Sequence, residues 1–275
     1  MIPVQFDYAR AGSLDEALSL LRDGGDDAKL LAGGHSLLPL MKLRLASPAT
    51  LIDIASLREL SYVRDAGGLL KIGALTCHHD LATAELVNKH APILAHVAGQ
   101  IGDPQVRHLG TIGGSLAHGD PASDLPSACL ATGASFTLTG PSGERTVSVE
   151  EFFVGFLETA LAPDEILTEI TVPKVPDARW SFLKFNRRAQ DWAIVGVSVV
   201  AHDETRVALV NMGSTPLRAP AVEGALRGGA SHAEAAAHAA DGLEPPGDLN
   251  ATPEYRRHLA KVLVRRALEQ VGANS

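Results

Sequence analysis

Two pairs of adjacent glycines, each with a serine close behind, are the residues of this chain best suited to holding a phosphate. The first lies in Leu31-Ala32-Gly33-Gly34-His35-Ser36-Leu37, the second in Thr111-Ile112-Gly113-Gly114-Ser115. Adjacent glycines let successive amide N–H groups point into one concavity, an anion nest. Ser36, Thr111 and Ser115 add hydroxyl donors. Two such loops suit the two phosphates of a dinucleotide. Glycine pairs also form plain tight turns, and that reading stands beside the first. The chain has no G-x-G-x-x-G and no G-x-x-x-x-G-K-[ST], which disfavours a Rossmann site and a P-loop.

Other reactive constellations are weaker. His78-His79-Asp80 would be a poor metal site, because adjacent side chains diverge and no second cluster has matching spacing; a helix start capped by Thr76 is the simpler reading. His35-Ser36 is half a catalytic dyad, but Leu38 stands where a nucleophile elbow needs glycine. Cys77 and Cys129 read as buried small hydrophobes. Without a cysteine cluster the chain cannot build an iron–sulfur or structural zinc site alone. No catalytic residue and no metal ligand is expected.

The elements that position the loops follow from capping and periodicity. Ser13 to Glu16 forms a capping box opening an amphipathic helix that ends at Gly24-Gly25. Residues 29–32 and 50–54 read as strands, and 37–45 as a helical turn with Pro39 in its first positions. Hairpins are expected over 60–74 and 135–149, and helices over 78–90 and 92–101. Residues 102–124 read as one long functional loop. A strand over 166–172 precedes a boundary near 173–177. Beyond it come a small antiparallel sheet (181–187, 193–201, 206–212) and helices over 231–240 and 253–271, the last capped by Thr252 with Pro253 at its first position.

Net charge is −8, which disfavours nucleic acid as partner. The local exception is the last helix, where Arg256, Arg257, Lys261, Arg265 and Arg266 cluster. Tyr255, Leu259, Val262, Leu263 and Val271 form its apolar stripe, and Arg257, Lys261 and Arg265 a basic ridge, either solvated or an interface. With 45% apolar and 20% charged residues the chain reads as globular. Its beginning shows neither a signal peptide nor a transmembrane span, so a reduced, cytoplasmic setting is expected.

With these residues in view, AGGHSLLPLMKLRLASPATLIDI resembles the first FAD loop of the molybdenum hydroxylase (xanthine dehydrogenase) flavoprotein subunits, and TIGGSLAHGDPASDLP their second. The likeness continues through EILTEITVP and SFLKFNRRAQDWAIVGVSVV to PEYRRHLAKVLVRRAL, covering nearly the whole chain in order. Within that group GGHSLLP, SLAHGDPASD and RRAQDWA most resemble the medium subunit of aerobic carbon monoxide dehydrogenases. Many relatives carry Asn where this chain has Ser115; serine also donates a hydrogen bond.

The resemblance implies an α+β chain with an FAD-binding fold of the vanillyl-alcohol-oxidase/PCMH type in residues 1–176 (subdomains about 1–55 and 56–176). A C-terminal flavoprotein domain, a small antiparallel sheet plus helices, would take 177–275. It would lay Leu31 to Leu37 and Thr111 to Ser115 along the FAD pyrophosphate and put Asp124 near the cofactor, where residues alone suggest a helix cap. Ile101 and Leu167 would flank the cofactor, although each also reads as core. Lys184 would approach the flavin, where the alternation of Phe-Leu-Lys-Phe alone suggests an outward strand residue. Trp192 would cover a ring face, or else be a buried aromatic opening the next strand.

By the same resemblance the partners are a large subunit with the molybdenum cofactor and a small one with [2Fe–2S] clusters, as a dimer of heterotrimers. The complex would be cytoplasmic, with the inner membrane face a peripheral location reached through it. Electrons would pass from the clusters to FAD and on to an external acceptor. Alternatives are the medium subunit of an aldehyde, purine or N-heterocycle hydroxylase, a stand-alone flavin oxidase of this fold, and a nucleotide-binding or assembly module without redox chemistry.

Overall fold

The computed structural model describes residues 2–273. The chain begins as a small α/β unit: β1 (Asp7–Arg10), α1 (Leu14–Gly24), β2 (Ala28–Leu31), α2 (Leu37–Lys42) and β3 (Thr50–Asp53). Its sheet is parallel, in the order β1-β3-β2. Ala17 and Leu21 of α1 bury against Ala28 and Ile52. Ser13 caps α1 by accepting the Glu16 N–H, but Glu16 returns its bond to the N–H of Gly12 and not to that of Ser13. The expected box is thus offset by one residue on its return arm.

Next come β4 (Val63–Ala66), β5 (Leu69–Gly73), α3 (His78–Thr83), α4 (Glu85–His90), α5 (Pro92–Gly99), α6 (Pro104–Leu109), α7 (Ile112–His118) and α8 (Asp124–Thr132). They are followed by β6 (Ser135–Gly140), β7 (Gly143–Ser148), α9 (Val149–Phe152), β8 (Phe153–Gly155), β9 (Glu158–Thr159) and β10 (Ile166–Pro173). The second sheet, antiparallel and ordered β4-β5-β10-β6-β7, uses β10 to join the two expected hairpins. Strands β8 and β9 form a separate two-stranded hairpin.

Two expectations are corrected here. Residues 102–124 are not one loop, because α6 and α7 occupy most of it. Asp103 caps α6 by accepting from Val106 N–H, with Pro104 at its first position, and Thr111 caps α7 by accepting from Gly114 N–H. Both helices are under two turns and α7 carries a glycine pair, so propensity hides them. The expected helix over 78–90 breaks at Ala84, which is extended (φ −62°, ψ 123°). Thr76 does not cap it: its hydroxyl accepts from Tyr62 N–H and donates to Tyr62 O.

The C-terminal part contains β11 (Arg179–Phe185), β12 (Val195–Ala201), β13 (Thr205–Val210), β14 (Leu217–Arg218), α10 (Pro220–Arg227), α11 (His232–Ala237) and α12 (Pro253–Ala273). Its sheet runs β11-β12-β13-β14. Every residue of β12 is buried, the pattern of a strand covered on both faces. On one face lie α10, α11 and α12. On the other lies α8, all nine of whose residues are buried; it shares a core with the second sheet. Ser127 of α8 and Ser198 of β12 satisfy each other across this contact at 2.7 Å. Leu259, Leu263 and Val271 of α12 are buried as its stripe predicts, but Tyr255 is 44% exposed and Arg256 is completely buried. Thr252 caps this helix by accepting from Tyr255 N–H.

Candidate functional site

Where the small α/β unit, the α6–α7 region and the start of the C-terminal sheet meet, the chain leaves a cavity of about 790 Å³. That volume suits a cofactor, since small-molecule sites span about 300–1,000 Å³. All seven residues from Leu31 to Leu37 line it, as do Thr111, Gly113, Gly114, Ser115, Ile101, Asp124, Leu167, Lys184 and Trp192. Ile112 does not line it: its side chain is fully buried in the core between the second sheet and its helices.

The first glycine pair sits where β2 ends. The Ile54 N–H bonds Leu31 O and holds the strand end, and Leu38 N–H bonds Gly34 O at 3.0 Å, opening α2. Gly34 takes φ +74°, where only glycine is free of strain. A Cβ on Gly33 would lie 2.0 Å from the Leu109 carbonyl oxygen, so this glycine lets loop and α6 touch backbone to backbone. Among the described residues, no protein acceptor takes up the amide N–H groups from Gly33 to Leu37. Five successive free donors on a cavity wall make an anion nest.

The second pair is built differently. Ile112 N–H bonds Thr76 O, Gly113 N–H bonds Ala74 O, Gly114 N–H bonds the Thr111 hydroxyl and Ser115 N–H bonds Thr111 O. The four amides from Ile112 to Ser115 are therefore already paired within the protein. Gly113 serves close packing, since a Cβ there would meet the Ala74 backbone oxygen at 2.6 Å. Gly114 is exposed and turned to the cavity. The second segment thus offers close approach and the Ser115 hydroxyl, not a nest.

Asp124 and Lys184 form a buried ion pair on the cavity wall, Nζ to Oδ2 at 2.7 Å, with side chains 5% and 7% exposed. Asp124 makes no cap bond, which corrects the cap reading. Its Oδ1 is buried without a partner. Burial pushes the Asp124 carboxyl above the usual range, against the lowering pull of the Lys184 ammonium. Lys184 is not outward-facing: it shares the face of β11 that buries Phe182 against the helices. Because both faces of the sheet are covered, alternation gave the wrong side. Trp192 is 56% exposed, so it is not a buried opener of β12. Its turn is closed at the base by Ile194 N–H bonding Phe185 O.

Several lining residues carry no sequence motif. His78 is 5% exposed, and Gly110 lies against its ring, where a Cβ would meet the imidazole at 2.9 Å. Burial, then the charges of His35 and Arg107, lowers its pKa to about 4, so it is neutral at pH 7. Arg107 fixes the wall by donating to the Ile101 and Gly102 carbonyls. The segment after β9, including Leu161, Ala162 and Glu165, also lines the cavity. A smaller adjoining space of about 370 Å³ shares Gly102, Lys184 and Gln190 with it. Burial raises both thiols, Cys129 to about 12, which leaves neither poised as a nucleophile; Cys77 is only half-buried. Among the described residues no histidine, cysteine or carboxylate cluster could hold a metal ion.

An amide nest for an anionic pyrophosphate, an unsatisfied buried carboxylate oxygen and a cavity of this size fit an FAD. Residues 4–175 match the family "FAD binding domain in molybdopterin dehydrogenase", and 180–271 match "CO dehydrogenase flavoprotein C-terminal domain". The chain belongs to the FAD-binding flavoproteins of the molybdopterin dehydrogenases. It is 43% identical to the carbon monoxide dehydrogenase medium chain of Hydrogenophaga pseudoflava, over 99% of each chain. It is 40% identical to subunit alpha of the 6-hydroxypseudooxynicotine dehydrogenase complex of Paenarthrobacter nicotinovorans, over 98% of this chain and 95% of the other. A solved structure of carbon monoxide dehydrogenase from Hydrogenophaga pseudoflava, lacking the Mo-pyranopterin moiety, superposes with a TM-score of 0.96 at 44% identity and covers 99% of both chains. The α+β flavoprotein fold and the FAD cofactor are thereby established for this oxidoreductase family member. No helix among the described residues is long and apolar enough to cross a membrane.

Proposed function

We propose that this chain is the FAD-carrying, electron-relaying subunit of a complex whose large partner holds the molybdenum cofactor and whose small partner holds [2Fe–2S] clusters. Carbon monoxide is the proposed substrate of the complex, and a dimer of heterotrimers its assembly. The observation that carries the reading is the convergence on one cavity of the free amide nest, the Asp124–Lys184 pair and Trp192. When bound, FAD accepts electrons and passes them to an external acceptor, joining one- and two-electron chemistry.

The residues of the chain have separable tasks in this proposal. Amides Gly33 to Leu37 hold the pyrophosphate, and the exposed Gly114 lets it approach the second segment. Lys184 keeps a cation against the cavity, with Asp124 balancing its charge. Ile101 and Leu167 exclude water from the wall, and Trp192 closes the exposed side. Residues 1–176 hold the cofactor and 177–275 supply Lys184 and Trp192.

The test is to purify the complex with its partner chains and release flavin by heat. Stoichiometric FAD and carbon monoxide-dependent reduction of an artificial acceptor are the expected results. An assembled complex releasing no flavin would overturn the flavoprotein role. Turnover of an organic substrate by this chain alone would favour the stand-alone oxidase. Oxidation of an aldehyde, purine or N-heterocycle, with carbon monoxide inert, would replace the substrate.

A further inference from the structure

The turn that carries Trp192 is held at its exit by two side chains from distant parts of the sequence. Two consecutive carbonyls, Ala193 and Ile194, follow the tryptophan directly. Asn211, just past β13, donates from Nδ2 to Ala193 O at 2.8 Å. It does so from a left-handed conformation, φ +60°, while its own N–H reaches Pro121 O. Arg256, in the first turn of α12, donates from Nη1 to Ile194 O and from Nη2 to Asp248 Oδ2, the latter at 2.7 Å. Asp248 in turn accepts the N–H groups of Asn250 and Ala251 through Oδ1.

Arg256 is an expensive choice for this place. It is completely buried, and its Nε has no partner. Desolvating a guanidinium costs several kcal/mol before its contacts offset it, and an apolar residue of similar volume commonly stabilises at least as well. What an apolar residue cannot do is grip a carbonyl. The carbonyl gripped belongs to the residue two places beyond Trp192. Before Trp192 the turn is held by Asn186 Nδ2 to Arg188 O, the Asp191 N–H to Arg188 O and the exposed Arg188–Asp191 pair, and its base is closed by the Ile194 N–H to Phe185 O. The firm fixings therefore lie at its C-terminal end.

We propose that Arg256 is a positioning residue for the flavin site: by anchoring Ile194 it sets where Trp192 stands on the cavity wall, although Arg256 itself does not line that wall. FAD retention and flavin midpoint potential then depend on a residue of the last helix. The inference rests on the placement of FAD against Trp192 proposed above.

The experiment uses the assembled complex carrying Arg256→Met, Arg256→Lys, Trp192→Phe, or Arg256→Met with Trp192→Phe. FAD release and flavin midpoint potential are measured beside thermal stability. Arg256→Met is expected to release FAD several-fold faster and to shift the potential, and Arg256→Lys to restore part of both. In the Trp192→Phe background Arg256→Met should add little to either. A lower melting temperature with unaltered FAD release and potential would overturn the proposal, as would equal shifts in both backgrounds. If Arg256→Met fails to assemble, Asp248→Ala, which removes the half-exposed acceptor of Nη2, becomes the readout; unchanged FAD release there would also overturn it. Trp192→Phe alone without effect on release or potential would defeat the placement of Trp192 instead, and a parent complex without flavin would defeat the functional reading.

Discussion

The two glycine pairs look alike in sequence, yet the fold uses them differently. In both, the first glycine is pressed against foreign backbone, Gly33 on Leu109 and Gly113 on Ala74, and the second faces the cavity. There the likeness ends. The first pair leaves five amides free, while the second spends every amide from Ile112 to Ser115 on the protein itself. A strand that ends in a loop has no ladder to consume its donors. A helix start that returns against Ala74 and Thr76 has its donors paired by cap and neighbour. Anion recognition therefore belongs to one loop and close approach to both.

The strongest way to break this comparison is at the packed glycines. Gly33→Ala and Gly113→Ala each place a methyl inside 3 Å of fixed backbone. Each is expected to cost more than about 4 kcal/mol, the range of severe core disruption, read as lost soluble yield or a collapsed melting temperature. Costs below about 1 kcal/mol would show that neither contact ties the loops to the body.

His78, whose ring backs Gly110 beside the first loop, tests the tie by pH. The unfolded chain binds this proton near 6.5 and the folded chain only near 4, so its contribution is complete above pH 6.5. It is lost as pH falls toward 4, by about 3 kcal/mol. Denaturation profiles across that window should flatten in His78→Phe; an unchanged slope would place the acid sensitivity elsewhere.

The cavity-facing glycines separate stability from binding. Gly34→Ala forces a side chain into a left-handed conformation at about 1–2 kcal/mol and distorts the nest, so FAD affinity should fall more than tenfold, roughly 1.4 kcal/mol or more. Gly114→Ala meets only the movable Thr111 hydroxyl and should change stability by under about 1 kcal/mol, with a smaller loss of FAD. Equal losses of flavin, measured by titration of the complex, would erase the distinction between the loops. The smallest effect on FAD is expected for Thr111→Val, which removes the α7 cap at about 1 kcal/mol and leaves the nest intact; chemical denaturation reads the stability loss, and flavin titration should show no change.

Much of the chain was legible because local signals agreed. The capped α1, the hairpins over β4–β5 and β6–β7, and α12 with Thr252 and Pro253 follow from capping, alternation and turn residues. The site was legible mainly through the family resemblance. Residue patterns alone read Asp124 as a cap, Lys184 as outward and Trp192 as buried, and the structure reverses each. The first two readings share one fault, which is that alternation and capping describe one element facing one core. The start of α8 and the face of β11 instead meet between two sheets.

By itself the sequence determined which segments could form strands and helices, and that two glycine pairs could come close to an anion, because these depend on neighbours along the chain. Only the tertiary structure decided which amides remain free, which charges are buried together, and that Arg256 lies inside the protein. Each of these depends on which distant backbone arrives to compete for a donor or to exclude water.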